Sequence, residues 1–303
     1  MSLSAVTKTE PFTARSFKVR MIIAFFAIYF LWGTTFLAIR IAVEELPPLF
    51  AAGARFFIAG VVLSGFMLAR GEVRPSGRQW RNLLVLSLLM FVAEYGPLFW
   101  AEKYVPSGVV SVLAATIPIL TLVLEMLVLR QQKWRLGLAA ATVLGFAGVG
   151  VLLLPGGSQH FPVLPCLAIL CGCTTWSLGT VLSRSMDLPK ARPVTAGATM
   201  MLGGAMLLVL SAGFGELHPL PHISVRAGLA LLYLIVFGSL VAFTAFVWLL
   251  AHMPATRVAS HAYVNPIVAV ALGYFAAGEP VTLRTLAGTA LVLISVFMIL
   301  RRN

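Results

Sequence analysis

Few side chains in this sequence could do chemistry, and those few stand where they are expensive. Arg55, Glu94, Glu125 and His261 each fall inside a long apolar run. Placing an ion in such surroundings costs at least ~2.5–3.5 kcal/mol on insertion scales, so each needs a partner or a task. Depth along a spanning helix sorts them. At ~1.5 Å per residue, Glu94 falls roughly 5 Å to one side of the membrane midplane and Arg55, on a run of opposite direction, about 6 Å to the same side. These two form one candidate ion pair. Glu125 and His261 fall roughly 10 and 8 Å to the other side and form a second. Glu94 is the carboxylate nearest the midplane, where desolvation makes it a candidate proton-binding group; an adjacent Arg55 would make it a structural partner instead. Glu125 could equally snorkel towards Arg130 and Lys133, and His261 could serve as a hydrogen-bonded packing residue.

Tryptophan supplies a second kind of chemistry. Trp80 is flanked by Arg78 and Arg81, and Trp134 by Lys133 and Arg135, as in an interfacial aromatic belt. Trp32 and Trp176 instead lie at the middle of their runs. Either they pack helices together, or their faces line a central cavity and favour rings and cations. Ser111, Ala114, Pro118, Thr121 and Glu125 recur at helical spacing as a small, polar stripe, and His261 and Asn265 share a face in the same way. Pro97, Pro118 and Pro266 each remove a backbone hydrogen bond inside a run and are expected to bend it. Gly60-x-x-x-Ser64 and Ala141-x-x-x-Gly145 permit close helix approach. Glu102 and Arg40 stand near run ends, where exposure is cheap, and neither needs a functional role. Signatures of hydrolases, zinc enzymes and phosphate-binding loops are absent, so no enzymatic activity, cofactor or metal site is expected. Cys166, Cys171 and Cys173, an odd number in one run, do not suggest a disulfide framework.

The elements that must position these residues are spelled out by composition. Of 303 residues, 60% are hydrophobic and 11% charged, against roughly a quarter charged in soluble domains. Runs of about 20 apolar residues, the length that crosses a bilayer, fall at 21–42, 48–69, 80–102, 107–130, 136–154, 163–185, 193–214, 226–250, 256–276 and 283–300. The expected fold is an all-α membrane protein of ten transmembrane helices. Trp32, Arg40 and Ala52-Gly53-Ala54 recur as Trp176, Arg184 and Ala196-Gly197-Ala198 at an offset of 144; Trp100, Pro106 and Pro118 recur as Trp248, Pro254 and Pro266 at an offset of 148. Five runs per copy is odd, so the copies are inverted five-helix repeats, 21–154 and 163–300, after a basic cytoplasmic tail at 1–20. Most of the 22 Lys and Arg cluster between alternate runs and at the termini; the positive-inside rule therefore places both termini in the cytoplasm. The net charge of +12 is spread over these loops, where anionic lipid headgroups are its partner and nucleic acid is not. Inverted repeats with a midplane site are the architecture of secondary transporters. A non-transporting membrane receptor or scaffold is the alternative; it should carry a sizeable soluble domain, and none is evident.

Several stretches match a known family. Tyr29-Phe30-Leu31-Trp32-Gly33-Thr34-Thr35-Phe36, Val105-Pro106-Ser107-Gly108, Ala115-Thr116-Ile117-Pro118, Gly145-Phe146-Ala147-Gly148-Val149 and Ala262-Tyr263-Val264-Asn265-Pro266-Ile267-Val268-Ala269 with Gly278-Glu279-Pro280 resemble EamA-type members of the drug/metabolite transporter superfamily. The resemblance covers all ten runs. It implies two EamA repeats in the cytoplasmic membrane of a bacterium, exporting small organic metabolites such as amino acids or drug-like compounds by alternating access, with protons as a candidate coupling ion, in monomeric or homodimeric form. Carried over by position, it places Trp32, Glu94, Tyr95, Leu98, Ala115, Pro118, Trp176, Thr244, His261, Asn265 and Pro266 around the substrate cavity. The first repeat has Gln131-Gln132 where the second has Gly278-Glu279, which reads Glu279 as structural.

Overall fold

The computed structural model describes residues 14–129, 136–153, 162–217 and 223–302, and among these the chain is helical, without strands. Ten helices follow in order. The first four are α1 (Phe17–Val43), α2 (Pro48–Ala69), α3 (Gly77–Ala101) and α4 (Ser107–Leu127). Next come α5 (Leu136–Leu153), α6 (Val163–Ser183) and α7 (Arg192–Gly213). The last are α8 (Val225–His252), α9 (His261–Ala277) and α10 (Leu283–Arg302). Seven are long and apolar enough to cross a membrane; α5, α9 and α10 contain shorter apolar stretches, Ala139–Leu152, Val264–Ala277 and Leu283–Met298. Large apolar side chains such as Ile22, Phe66, Leu164, Val209 and Phe275 face outward, as a lipid solvent requires. The first thirteen residues, Trp134 and the Gln131-Gln132 pair lie outside the described residues.

Local sequence explains where the helices begin. Pro48 and Pro193 occupy the first turns of α2 and α7, where a missing N–H costs nothing. Ser76 and Gln79 form a reciprocal capping box at the start of α3, and Ser224 caps α8. The ninth run differs from expectation: a single turn, Ala255–Val258, stops at Ala259-Ser260 and α9 restarts at His261.

The two repeats meet in mirrored contacts. Gly60 of α2 abuts the Met201 backbone of α7, while Gly204 abuts Phe57; Gly197 abuts Ser64, while Gly53 abuts Leu208. Each contact maps onto its mate when 144 is added to the α2 residue and subtracted from the α7 residue. Residue numbers rise along one helix as they fall along the other, so α2 and α7 run antiparallel about a two-fold axis. Only a residue without a side chain lets the backbones approach this closely. Both helices also end alike. Gly71 and Gly215 have φ of 79° and 74°, and the following Glu72 and Glu216 donate backbone N–H bonds to Met67 and Ser211, completing equivalent C-terminal caps. A second seam joins α5 to α10 through Gly148 and Gly288, with Ser295 donating to the Ala141 carbonyl at 2.6 Å. Between the seams, α1, α3, α4, α6, α8 and α9 form the centre.

Candidate functional site

Three interruptions of helical geometry lie beside the central residues. A π-helical stretch at Ala27–Leu31 ends immediately before Trp32. Another, at Leu88–Val92, ends two residues before Glu94. A third, at Leu234–Val241, occupies the equivalent part of α8. Each widened turn re-aims the side chains beyond it. In α4 the helix stops at Ala115-Thr116 and restarts at Ile117-Pro118; Pro118 could not have donated to Ala114 in any case. Pro97 and Pro266 sit inside continuous helices.

These elements enclose a central cavity of about 50 Å³, room for a few water molecules. Trp32, Glu94, Tyr95, Leu98, Ala115, Trp176, His261 and Asn265 all line it. Pro118, Thr244 and Pro266 do not. Trp32 and Trp176 are in edge-to-face contact, with ring centroids 5.9 Å apart and planes at 78°. They are both cavity wall and mutual packing, and in this arrangement nothing fits between them. The Trp32 indole donates to the Gly238 carbonyl at 3.0 Å. His261 lies edge-on to Trp32 at 5.0 Å, with Nδ1 3.0 Å from the Val258 carbonyl. The Glu94 carboxylate is buried, backs onto Gly172 of α6, and leaves Oε2 without a hydrogen-bond partner among the described residues.

Neither candidate ion pair is formed among the described residues, where other contacts stand. Arg55 is wholly buried but donates through Nε to Ser239 at 2.9 Å, and its guanidinium lies 4.6 and 5.3 Å from the Phe56 and Tyr95 rings. Matching depth did not bring Glu94 to it, because Ser239 and the aromatic faces occupy its approach. Glu125 meets Arg184 at 3.3 Å, not His261, whose ring turns back to its own helix turn and Trp32. Glu102 departs furthest from expectation. It is fully buried, neither carboxylate oxygen has a partner among the described residues, and Arg40 donates to its backbone carbonyl. The end of α3 is closed over, so nearness to the run's end did not bring water.

That closure belongs to one whole end of the bundle. There Glu216 accepts from the backbone N–H groups of Leu49 and Phe50 at 3.3 and 2.9 Å, capping α2. Glu279 accepts from Ser107 and Gly108 at 2.8 and 3.1 Å, capping α4. Carboxylates are favoured at helix N-termini by the free N–H groups and the helix dipole. Glu45 bonds the Ser224 cap of α8 at 2.8 and 2.7 Å, and Glu44 pairs with Arg226 at 3.5 Å. At the opposite end a vestibule of about 650 Å³ opens between α3, α6, α7 and α8, lined among others by Met90, Arg184, Lys190 and Thr199. Glu72, the repeat counterpart of Glu216, is exposed at this end. One aromatic layer divides the vestibule from the cavity: Phe246 lines the vestibule, yet its ring is 5.1 Å from Trp32 and 5.3 Å from Trp176, with Phe243 stacked on it at 6.0 Å.

Sequence reasoning missed Thr35, Phe36 and Ile39, which also line the cavity; their spacing of three, four and seven from Trp32 was the available signal. It also missed Phe243 and Phe246.

The sequence profile of the EamA-like transporter family matches residues 19–154 and 163–301. The chain is 38% identical over 262 residues to the uncharacterized inner membrane transporter YedA of Escherichia coli K12, covering 84% of this chain and 82% of that protein. It is 27% identical over 282 residues to the uncharacterized transporter YvbV of Bacillus subtilis, covering 93% and 91%. It is 25% identical over 290 residues to protein PagO of Salmonella typhimurium, covering 93% of each. A crystal structure at 21% identity superposes with a TM-score of 0.68 over 93% of this chain and 96% of that one, a likeness of fold.

Proposed function

Since the chain belongs to the EamA-like transporter family and is a multi-pass inner-membrane transporter, we propose that it exports small organic metabolites, such as amino acids or drug-like compounds, by alternating access. The observation that carries this reading is the asymmetry around the central cavity. One end is held shut by carboxylates on helix N-termini, and the other opens into a vestibule that stops at one aromatic layer. A protein that exposes its site to one side at a time should look like this in one of its two states. The vestibule end carries Arg70, Arg74, Arg78, Arg81, Arg184, Lys190 and Arg192; the positive-inside rule assigns it to the cytoplasm. The mouth is then open to the cytoplasm, the state in which an exporter loads. In the alternate state, closure around Glu72 would replace closure around Glu216, its repeat counterpart.

The test is flux. Purified protein reconstituted into liposomes should exchange labelled compounds from a panel of amino acids and lipophilic drugs. Trp32→Ala and Trp176→Ala should each raise the half-saturating concentration, by on the order of tenfold for a lost aromatic contact, while the protein still inserts. Correctly folded protein that moves no member of the panel would remove the proposal.

A further inference from the structure

The polar atoms around the cavity are unevenly matched. The Thr35 and Ser111 hydroxyls are spent on the Trp32 and Gly108 carbonyls at 2.7 and 2.6 Å, and the Trp32 indole on Gly238. The Asn265 amide is satisfied when its nitrogen faces the carbonyls of Tyr29, His261 and Ile28 at 2.8, 3.1 and 3.2 Å, which leaves Oδ1 as an acceptor. A carbonyl can only accept, so His261 Nδ1 carries its proton towards Val258 and the neutral ring keeps a lone pair on Nε2. Glu94 Oε2 is buried and has no partner among the described residues. The uncommitted donors are the Trp176 indole and the Tyr95 hydroxyl, and the latter can equally accept. Among the described residues no Lys or Arg lines the cavity, because Arg55 is turned to Ser239 behind the Tyr95 ring.

Resting on the transport reading above, we propose that the substrate carries a protonated amine whose N–H groups bind Glu94, His261 Nε2 and Asn265 Oδ1. A primary ammonium offers three donors to three acceptors, a formal charge to a carboxylate, and a cation to the rings of Trp32, Trp176 and Tyr95. An anion would meet the Glu94 carboxylate with no cationic side chain to offset it. The cavity holds little more than such a headgroup. The remainder of the molecule extends past Phe246 into the vestibule, whose volume is about 650 Å³. The vestibule also bears Arg184, Lys190 and Arg192. They stand in the open mouth, where water and salt screen them within about 8 Å, so they act on approach and not on the buried contact.

Four compounds with one phenyl ring and similar length test this on the purified protein by calorimetric titration at neutral pH: phenethylamine, its N,N,N-trimethyl analogue, phenylpropanol and phenylpropanoate. Phenethylamine should bind. The trimethyl compound, charged but without N–H, should bind on the order of tenfold more weakly, the loss of a charge-assisted hydrogen bond, and the alcohol and carboxylate more weakly still. Glu94→Gln should weaken phenethylamine by a similar factor or more; Arg55 bonds Ser239 and not Glu94, so the variant should remain folded. The ligand series on unaltered protein decides the matter even if it does not. The proposal falls if phenethylamine does not bind at millimolar concentration, if phenylpropanoate binds as tightly, or if trimethylation costs nothing. Flux separates the two readings: vesicles that transport a panel compound while phenethylamine fails to bind would retain transport and remove the amine. Binding with the expected rank order and no flux of any compound would do the reverse.

Discussion

Phe246 lines the vestibule and packs at a tilt against the Trp32–Trp176 pair that walls the cavity behind it. Truncating it should join the vestibule to the cavity and take away the aromatic support behind Trp32 and Trp176. Phe246→Ala is expected to weaken substrate affinity by up to about tenfold, the value of one aromatic contact, and to raise uncoupled leak through reconstituted vesicles. Unchanged affinity and leak would make the ring a packing residue. The Trp32–Trp176 site was legible from sequence because two large rings recur mid-run under one offset. Phe246 was not, since it is one of 20 phenylalanines and nothing in its neighbours separates it from Phe275, which is 83% exposed to the surroundings. Glu102 shows the converse failure. Distance from the end of a run sets the cost of a carboxylate only when that end opens to water, and here the neighbouring ends cover it.

Helices themselves were plainly written, because the requirement for about 20 apolar residues is summed over a whole span and survives local irregularity. Their π-helical turns were not, since widening a turn alters no residue's hydropathy. Yet those turns, and the break at Ala115-Thr116, aim Trp32 and Glu94 at a common space. The carboxylate caps were half legible: Glu279 was read as structural, and its bonds to Ser107 and Gly108 give it that role. Such a cap contributes roughly 0.3–1 kcal/mol, up to ~2 when partly buried. Glu216→Gln and Glu279→Gln should therefore each shift the conformational balance away from the vestibule-open state by up to about thirtyfold. A cysteine placed at Ala251, which lines the vestibule, should then be alkylated more slowly in both variants. Equal rates in the variants and the parent would reduce the caps to ordinary helix ends.

Across the whole molecule, inverted repeats make an orientation claim that labelling can settle. Gly71 and Gly215 are poor cysteine positions because their φ values are positive, a strained conformation for any side chain. Val73 and Phe214, 83% and 76% exposed at opposite ends, serve instead. In protein lacking Cys166, Cys171 and Cys173, an impermeant thiol reagent should reach Val73→Cys only from the cytoplasmic side and Phe214→Cys only from outside. Reversed accessibility would turn the vestibule outward and overturn the assigned orientation. The repeat was legible because duplicated Trp, Pro and Gly resist drift in a chain of interchangeable aliphatics; which end is shut was not, since Glu72 and Glu216 correspond in sequence and only their partners differ.

The α2–α7 seam has a consequence for assembly. Gly60 on Met201 and Gly204 on Phe57 are one contact made twice, as in an isologous dimer interface, where a surface recognises its own copy. Each half of the chain thus carries a self-complementary face. A half produced alone would present it unpaired, matched in shape to a second identical half inserted the other way up.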